Sequence, residues 1–163
     1  MTRFDVIIAG AGPSGAVAAA ALASRGLRVA LCDRAAFPRD KTCGDALIAD
    51  SLAVLGRLGL ADAVTSRAAS SCALRVMSAG GWTADIPGTL QVLPRRTLDE
   101  LLVAHAVRCG AALMQVSVDA PIVDADAVTG VTGKTGAGAA VRMHAPLTIL
   151  ATGASGAALR AFD

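Results

Sequence analysis

The chain has almost no aromatic residues: three Phe, one Trp and no Tyr among 163 residues. Its net charge is only +2, and the basic residues form no stripe interleaved with aromatics, so no nucleic-acid partner is expected. Lysine is scarce, with Lys41 and Lys134 against thirteen arginines, an excess that fits phosphate binding or a compositional habit alike. The two histidines, His105 and His144, have no ligand-spaced partners, and no metal site is expected. The four cysteines, Cys32, Cys43, Cys72 and Cys109, contain no C-x-x-C pair. A chain this long can bury a core without a disulfide framework, so reduced thiols and a cytoplasmic setting are expected. Mean hydropathy is high, at +0.57, yet no apolar run reaches the ~18 residues of a membrane span. The N-terminal apolar stretch is broken by Gly10, Gly12, Pro13 and Gly15, and Asp5 sits where a signal peptide wants a basic start. Neither a transmembrane segment nor a signal peptide is expected.

What the chain does have is Ala, Val and Leu, ordered into a βαβ pattern. Phe4 to Ala9 reads as a buried strand, Ser14 to Arg25 as a helix ended by Gly26, and Arg28 to Cys32 as a second buried strand. Between the first strand and the helix stand Gly10, Gly12 and Gly15, in a G-x-G-x-x-G spacing. The first glycine permits a tight turn, the second a close approach to a pyrophosphate, and the third close helix–strand packing. Pro13 and Ser14 complete the turn, and the helix N-terminus offers N–H groups to phosphate. Asp33 closes the second strand, 18 residues past Gly15. An acid there can accept hydrogen bonds from ribose hydroxyls and disfavours a 2′-phosphate. Arg34 could touch the adenosine end of a cofactor. A ligand-free turn, a plain loop acid and an exposed loop arginine are the alternatives these residues leave open.

Further along, Asp45 is a good N-cap for the helical pattern "ALIADSLAVLGRLGL". "CALRVMS" and "GWTADIP" read as a hairpin, with Trp82 packed in it, and "QVLP" as a short strand. Thr97 would cap a helix to about Cys109, with Asp99 and Glu100 in its first turn. "AALMQVSV", "AVTGVTG", "AAVRMHA" and "LTILATG" read as strands, Gly130–Gly138 as hairpin turns, and "SGAALRAF" as the start of a helix. The expected fold is α/β: a Rossmann-like FAD/NAD(P)-binding domain over residues 1–163, with a parallel sheet, a β-meander and a β-hairpin excursion over residues 69–93.

Joined to the glycine fingerprint, "FPRDKTCGD" resembles the geranylgeranyl reductase family of flavoproteins, within the aromatic-hydroxylase-like group of FAD enzymes. Pro38, Arg39, Lys41, Cys43 and Gly44 match the family's P-R-x-K-x-C-G segment. "LPRRTLDELL" is similar to the group's R-x-x-[LF]-D-x-x-L helix start, through Arg95, Leu98, Asp99 and Leu102. "ATG" at the end of "LTILATG" is similar to the return to the cofactor domain, through Thr152 and Gly153. Relatives in the hydroxylase branch carry G-A-D-G there, so Thr152 stands where they have Asp.

The resemblance implies bound FAD, held by Gly10, Gly12, Pro13, Ser14, Gly15, Asp33, Arg34, Lys41, Cys43, Gly44, Arg95, Val118, Thr152 and Gly153. Val118 falls near the strand position that packs on the adenine. Cys43 would lie at or near the reduction site as the candidate catalytic residue. The implied reaction is reduction of C=C bonds of a prenyl chain, with hydride from reduced FAD and NAD(P)H as a candidate donor. The substrate would be a small prenylated or lipid-like molecule, and peripheral membrane association is left open. An inert thiol at Cys43, and an Arg95 paired with Asp99, are the plainer readings of those residues. At the level of the whole protein the alternatives are a flavin monooxygenase or halogenase of the same superfamily, or an inactive FAD/ADP-binding fragment. The resemblance runs from Phe4 to Phe162 but covers only the front part of a family member. The family's second fingerprint, a G-D segment, would follow Asp163, so a truncated chain lacking most of its substrate domain is expected.

Overall fold

A computed structural model describes residues 3–154 and 160–162. Its contacts divide the chain into two units, Met1–Arg39 with Asp99–Asp163, and Asp40–Leu98.

The first unit is built on β1 (Val6–Ala9), helix α1 (Pro13–Ala23) and β2 (Val29–Asp33). β1 and β2 pair in parallel, Val6 opposite Val29 through Ala9 opposite Cys32. β6 (Ala112–Asp124) extends the parallel sheet beside β2, and β9 (Leu147–Leu150) extends it beside β1. Beyond Gln115, β6 continues as the first strand of an antiparallel meander with β7 (Ala127–Thr135) and β8 (Ala140–His144). The six strands form one sheet in the order β8-β7-β6-β2-β1-β9. Phe4, Ile7, Ala30, Cys32, Val116, Val131, Met143 and Ala145 pack as one buried cluster. Helix α1 buries Ala16, Ala19, Ala20 and Ala23, a stripe of the smallest side chains. That stripe lets the helix lie close to the sheet, which is why the core needs so few aromatics.

Two glycines that fall both in the strand "AVTGVTG" and in the Gly130–Gly138 turn segment are strand residues. Gly130 and Gly133 lie within β7, where a Cβ would strike the carbonyl oxygens of Met143 and Ser117 on the neighbouring strands. Only the segment after Thr135 makes the turn, with Gly138 N–H donating to the Thr135 carbonyl.

The second unit holds β3 (Ala46–Leu47), α2 (Ala49–Arg57), α3 (Ala61–Thr65), β4 (Ala69–Met77) and β5 (Thr83–Val92). Its antiparallel sheet has the order β3-β5-β4. The helix read over "ALIADSLAVLGRLGL" is a short strand followed by α2 alone, which Gly59 ends with a positive φ (+69°) before α3 begins at Ala61. "QVLP" is no separate strand, since Gln91 and Val92 continue β5. The hairpin is present, but Trp82 is 63% exposed rather than packed in it.

Helix α4 (Arg95–Arg108) starts two residues before the expected cap at Thr97. Thr97 and Leu98 both donate their N–H groups to the Pro94 carbonyl. Asp99 and Glu100 therefore lie beyond the first turn, and Arg95 is the first helical residue rather than a residue ahead of the helix. The helix expected at "SGAALRAF" falls mostly on residues 155–159, outside the described residues, although 160–162 are helical.

Candidate functional site

β1 ends at Ala9 and the chain turns through Gly10, whose φ is +106°. Gly10 N–H donates to the Cys32 carbonyl over 2.7 Å, which pins the turn to β2. A Cβ at Gly10 would strike the Ala151 carbonyl oxygen and stand 3.1 Å from Thr152 N. A Cβ at Gly15 would strike the Gly10 carbonyl oxygen and stand 3.3 Å from the Ala151 Cβ. Most of these obstacles are backbone atoms, which cannot swing away, so both positions require glycine. Gly12 is the N-cap of α1 and gives no side-chain cap; Pro13 follows at the head of the helix, where its missing N–H costs little. No acidic side chain stands in that first turn. The helix dipole thus presents partial positive charge and uncapped N–H groups at an exposed Ser14.

Asp33 sits at the lip of this turn. Its Oδ2 accepts the Ala11 N–H (2.9 Å) and its Oδ1 accepts the Ala35 N–H (3.0 Å). A carboxylate oxygen offers about two acceptor sites, so Asp33 retains capacity for further donors. Arg34 is exposed, and its carbonyl lies 3.5 Å from Gln115 Nε2. Gln115 pairs with Asp33 across the β2–β6 register and accepts the Gly136 N–H on its carbonyl (3.0 Å). Val118, three residues on, is half-buried against the core cluster. Thr152 and Gly153 come after Ala151, the residue that follows β9, whose N–H donates to the Ala9 carbonyl (2.8 Å) and ties the chain to the end of β1. The fold therefore brings Gly10, Gly12, Pro13, Ser14, Gly15, Asp33 and Thr152 to the C-terminal ends of the parallel strands, where ligands bind in open α/β sheets.

Sequence reasoning passed over two charged residues of this unit. Arg39 and Asp99 were matched to motifs but given no place in the site. Asp99 is fully buried, and its Oδ2 lies 3.2 Å from Arg39 Nη1. Arg39 Nη2 lies 3.5 Å from Asp33 Oδ2, and the guanidinium stands 4.9 Å from the centre of the Phe37 ring. A carboxylate inside the apolar pattern "LDELL" was the available signal, because a buried acid in a helix demands a cation.

Lys41, Cys43, Gly44 and Arg95 belong to the second unit. Lys41 and Cys43 are exposed, and a Cβ at Gly44 would meet no atom of the chain. Asp45 does not cap the helix that follows it in sequence. Its Oδ1 accepts the Arg95 N–H (3.1 Å) and its carbonyl accepts the Leu93 N–H (3.0 Å), so it caps α4 across the chain. The β3 strand at Ala46–Leu47 draws Asp45 away from α2 and alongside that helix start.

The other thiols divide by environment. Burial, with the Asp33 charge adding to it, pushes the Cys32 thiol up to about 12. Cys109 Sγ lies 3.6 Å from His105 Nε2, and burial, with Arg108 adding, lowers the pKa of His105. No group of three His, Cys, Asp or Glu among the described residues could hold a metal. No helix among them is long and apolar enough to cross a membrane.

A family model described as "FAD binding domain" matches residues 3–162. The chain is 40% identical over 122 residues to a menaquinone reductase of Mycolicibacterium smegmatis, covering 69% of this chain and 29% of that protein. It is 33% identical over 110 residues to digeranylgeranylglycerophospholipid reductase 2 of Methanopyrus kandleri, covering 67% of this chain and 27% of that protein. Among solved structures it is similar to a myxobacterial FAD-dependent chondrochloren halogenase, with a TM-score of 0.84 at 25% identity over 94% of this chain and 38% of that one. The chain thus spans less than a third of the length of both reductases.

Proposed function

The chain belongs to the FAD binding domain family, and from that premise we propose that it supplies the ADP-holding part of an oxidoreductase that reduces C=C bonds of a prenyl chain. One observation carries the choice of reaction. The two relatives named above are reductases whose names specify a menaquinone and a digeranylgeranyl lipid, both molecules with isoprenoid chains.

The cradle fits FAD on its own geometry. Gly10 and Gly15 let the turn, α1 and the end of β9 pack more closely than any side chain would permit, and the uncapped start of α1 suits a pyrophosphate. Gly10, Gly12, Pro13, Ser14 and Gly15 would hold the pyrophosphate, and Asp33 would accept ribose hydroxyls. Arg34 and Val118 would border the adenosine, and Thr152 and Gly153 would line the return of the chain beside Gly10. Lys41, Cys43, Gly44 and Arg95 are proposed to face the flavin side, with the exposed Cys43 thiol nearest the reduction. When bound and reduced, the flavin would supply a hydride for one alkene carbon, the other carbon taking a proton. NAD(P)H is the proposed donor that restores it.

The test is the full-length protein carrying this chain. It should purify with FAD and, without oxygen, add two hydrogens to a prenylated quinone or lipid. A flavin-free protein would sink the reading. Product formed only with oxygen would favour a monooxygenase or halogenase, the second reading, which the likeness to the halogenase supports.

A further inference from the structure

We propose that Arg39 is a positioning residue for ribose recognition: it holds the Asp33 carboxylate against the glycine turn and is itself anchored by the buried Asp99. The proposal rests on the reading of Asp33 as the ribose acceptor. Arg39 spans the two acids with separate nitrogens, Nη2 toward Asp33 (3.5 Å) and Nη1 toward Asp99 (3.2 Å). A planar guanidinium with fixed donors suits such a bridge, whereas an ammonium is a point charge. Its face over Phe37 at 4.9 Å further fixes its plane.

Burial makes the bridge demanding. Side-chain exposure is 16% for Arg39, 10% for Asp33 and zero for Asp99. A carboxylate as enclosed as Asp99 favours a cation beside it, and removing the Arg39 charge raises the cost of keeping it ionised. Asp99 lies on α4 and Arg39 on the loop after β2, so the position of the guanidinium is not set by its own loop alone. Arg39 Nη1 is buried without an aligned hydrogen bond, so at Asp99 it acts as a placed charge. At the other end, Asp33 Oδ2 already takes the Ala11 N–H. Arg39 commits that oxygen further and leaves Oδ1, which among the described residues takes the Ala35 N–H, as the freer acceptor. The positive charge also offsets Asp33 where a diphosphate would approach.

The test uses calorimetric titration of the full chain with ADP and with 2′,3′-dideoxy-ADP. The wild type should prefer ADP by about tenfold or more, as expected for hydrogen bonds to a charged acceptor. Asp33→Asn should remove most of that preference. Arg39→Met combined with Asp99→Asn removes one charge of each sign, so no buried carboxylate is stranded at position 99. That double variant should bring the preference below about threefold, and should change nothing further in the Asp33→Asn background. Arg39→Lys, which keeps the charge but loses the fork, should give an intermediate ratio and serves as the test should the double variant fail to fold. An unchanged ratio in a folded Arg39 variant, with Asp33→Asn still abolishing it, overturns the proposal alone. A wild type that binds both nucleotides alike, or neither, overturns the reading of Asp33 and the proposal with it.

Discussion

Replacing Gly15 with alanine should destabilise the chain, although helix propensity alone says the opposite. Gly15 is the third residue of α1, and Gly→Ala in a helix gains ~1 kcal/mol in open surroundings. Here the new Cβ would collide with the Gly10 carbonyl oxygen, lie 3.0 Å from its carbon and meet the Ala151 Cβ at 3.3 Å. Two of these are backbone atoms of the turn itself, so relief requires moving the start of α1 away from β1 and β9. Overpacking of that kind costs ~1–3 kcal/mol or more. With an immovable obstacle we expect the upper end, and a net loss of about 2 kcal/mol after the helix gain. Gly56→Ala is the matched contrast. It lies within α2, a Cβ there would meet nothing within 4 Å, and the change should stabilise by ~0.5–1 kcal/mol. Urea unfolding followed by far-ultraviolet circular dichroism separates the two. The midpoint should fall by about 1 M for Gly15→Ala and should not fall for Gly56→Ala. A Gly15→Ala midpoint at or above wild type would refute the steric reasoning.

Other outcomes follow from single residues. Asp45→Ala should cost about 1 kcal/mol, the usual loss for a helix cap, while Asp45→Asn should keep most of it; thermal unfolding of both variants checks this. The Arg28 side chain, and then its N–H, hold the Asp5 carboxyl at about 2 against an ordinary 3.8. The pair's contribution is therefore complete above pH ~4 and is lost as pH falls toward ~2. It is small because Arg28 is well exposed, and Asp5→Asn should flatten that part of the stability–pH curve. Iodoacetamide at pH 8 should alkylate the exposed Cys43 and Cys72 and spare Cys32 until urea unfolds the chain. Mass spectrometry of the native protein checks this, and early labelling of Cys32 would contradict its burial.

The parallel βαβ start was legible because three signals agreed: two β-branched apolar runs, an alanine helix and the glycine spacing. The acid at Asp33 followed from its distance to Gly15, and the structure places it against the turn. Asp45 was misread because a cap was sought for the next helix in sequence, whereas its carboxylate serves α4, 50 residues on. Gly130 and Gly133 admitted both a strand and a turn reading, because the close approach of neighbouring strands that requires glycine there is invisible without the register. Arg39 and Asp99 are 60 residues apart in the chain, and only the tertiary fold shows that they meet. Trp82 read as packing because tryptophan usually is buried; nothing local to a hairpin says which face is covered.

The central claim is that the glycine turn and Asp33 hold the ADP half of FAD. Equilibrium titration of the chain with FAD, ADP and FMN tests it most directly. The account predicts that FAD and ADP bind, that Asp33→Asn weakens both, and that FMN, which lacks the adenosine half, does not bind at the same concentrations. FMN binding as tightly as FAD, or FAD binding untouched by Asp33→Asn, would contradict it.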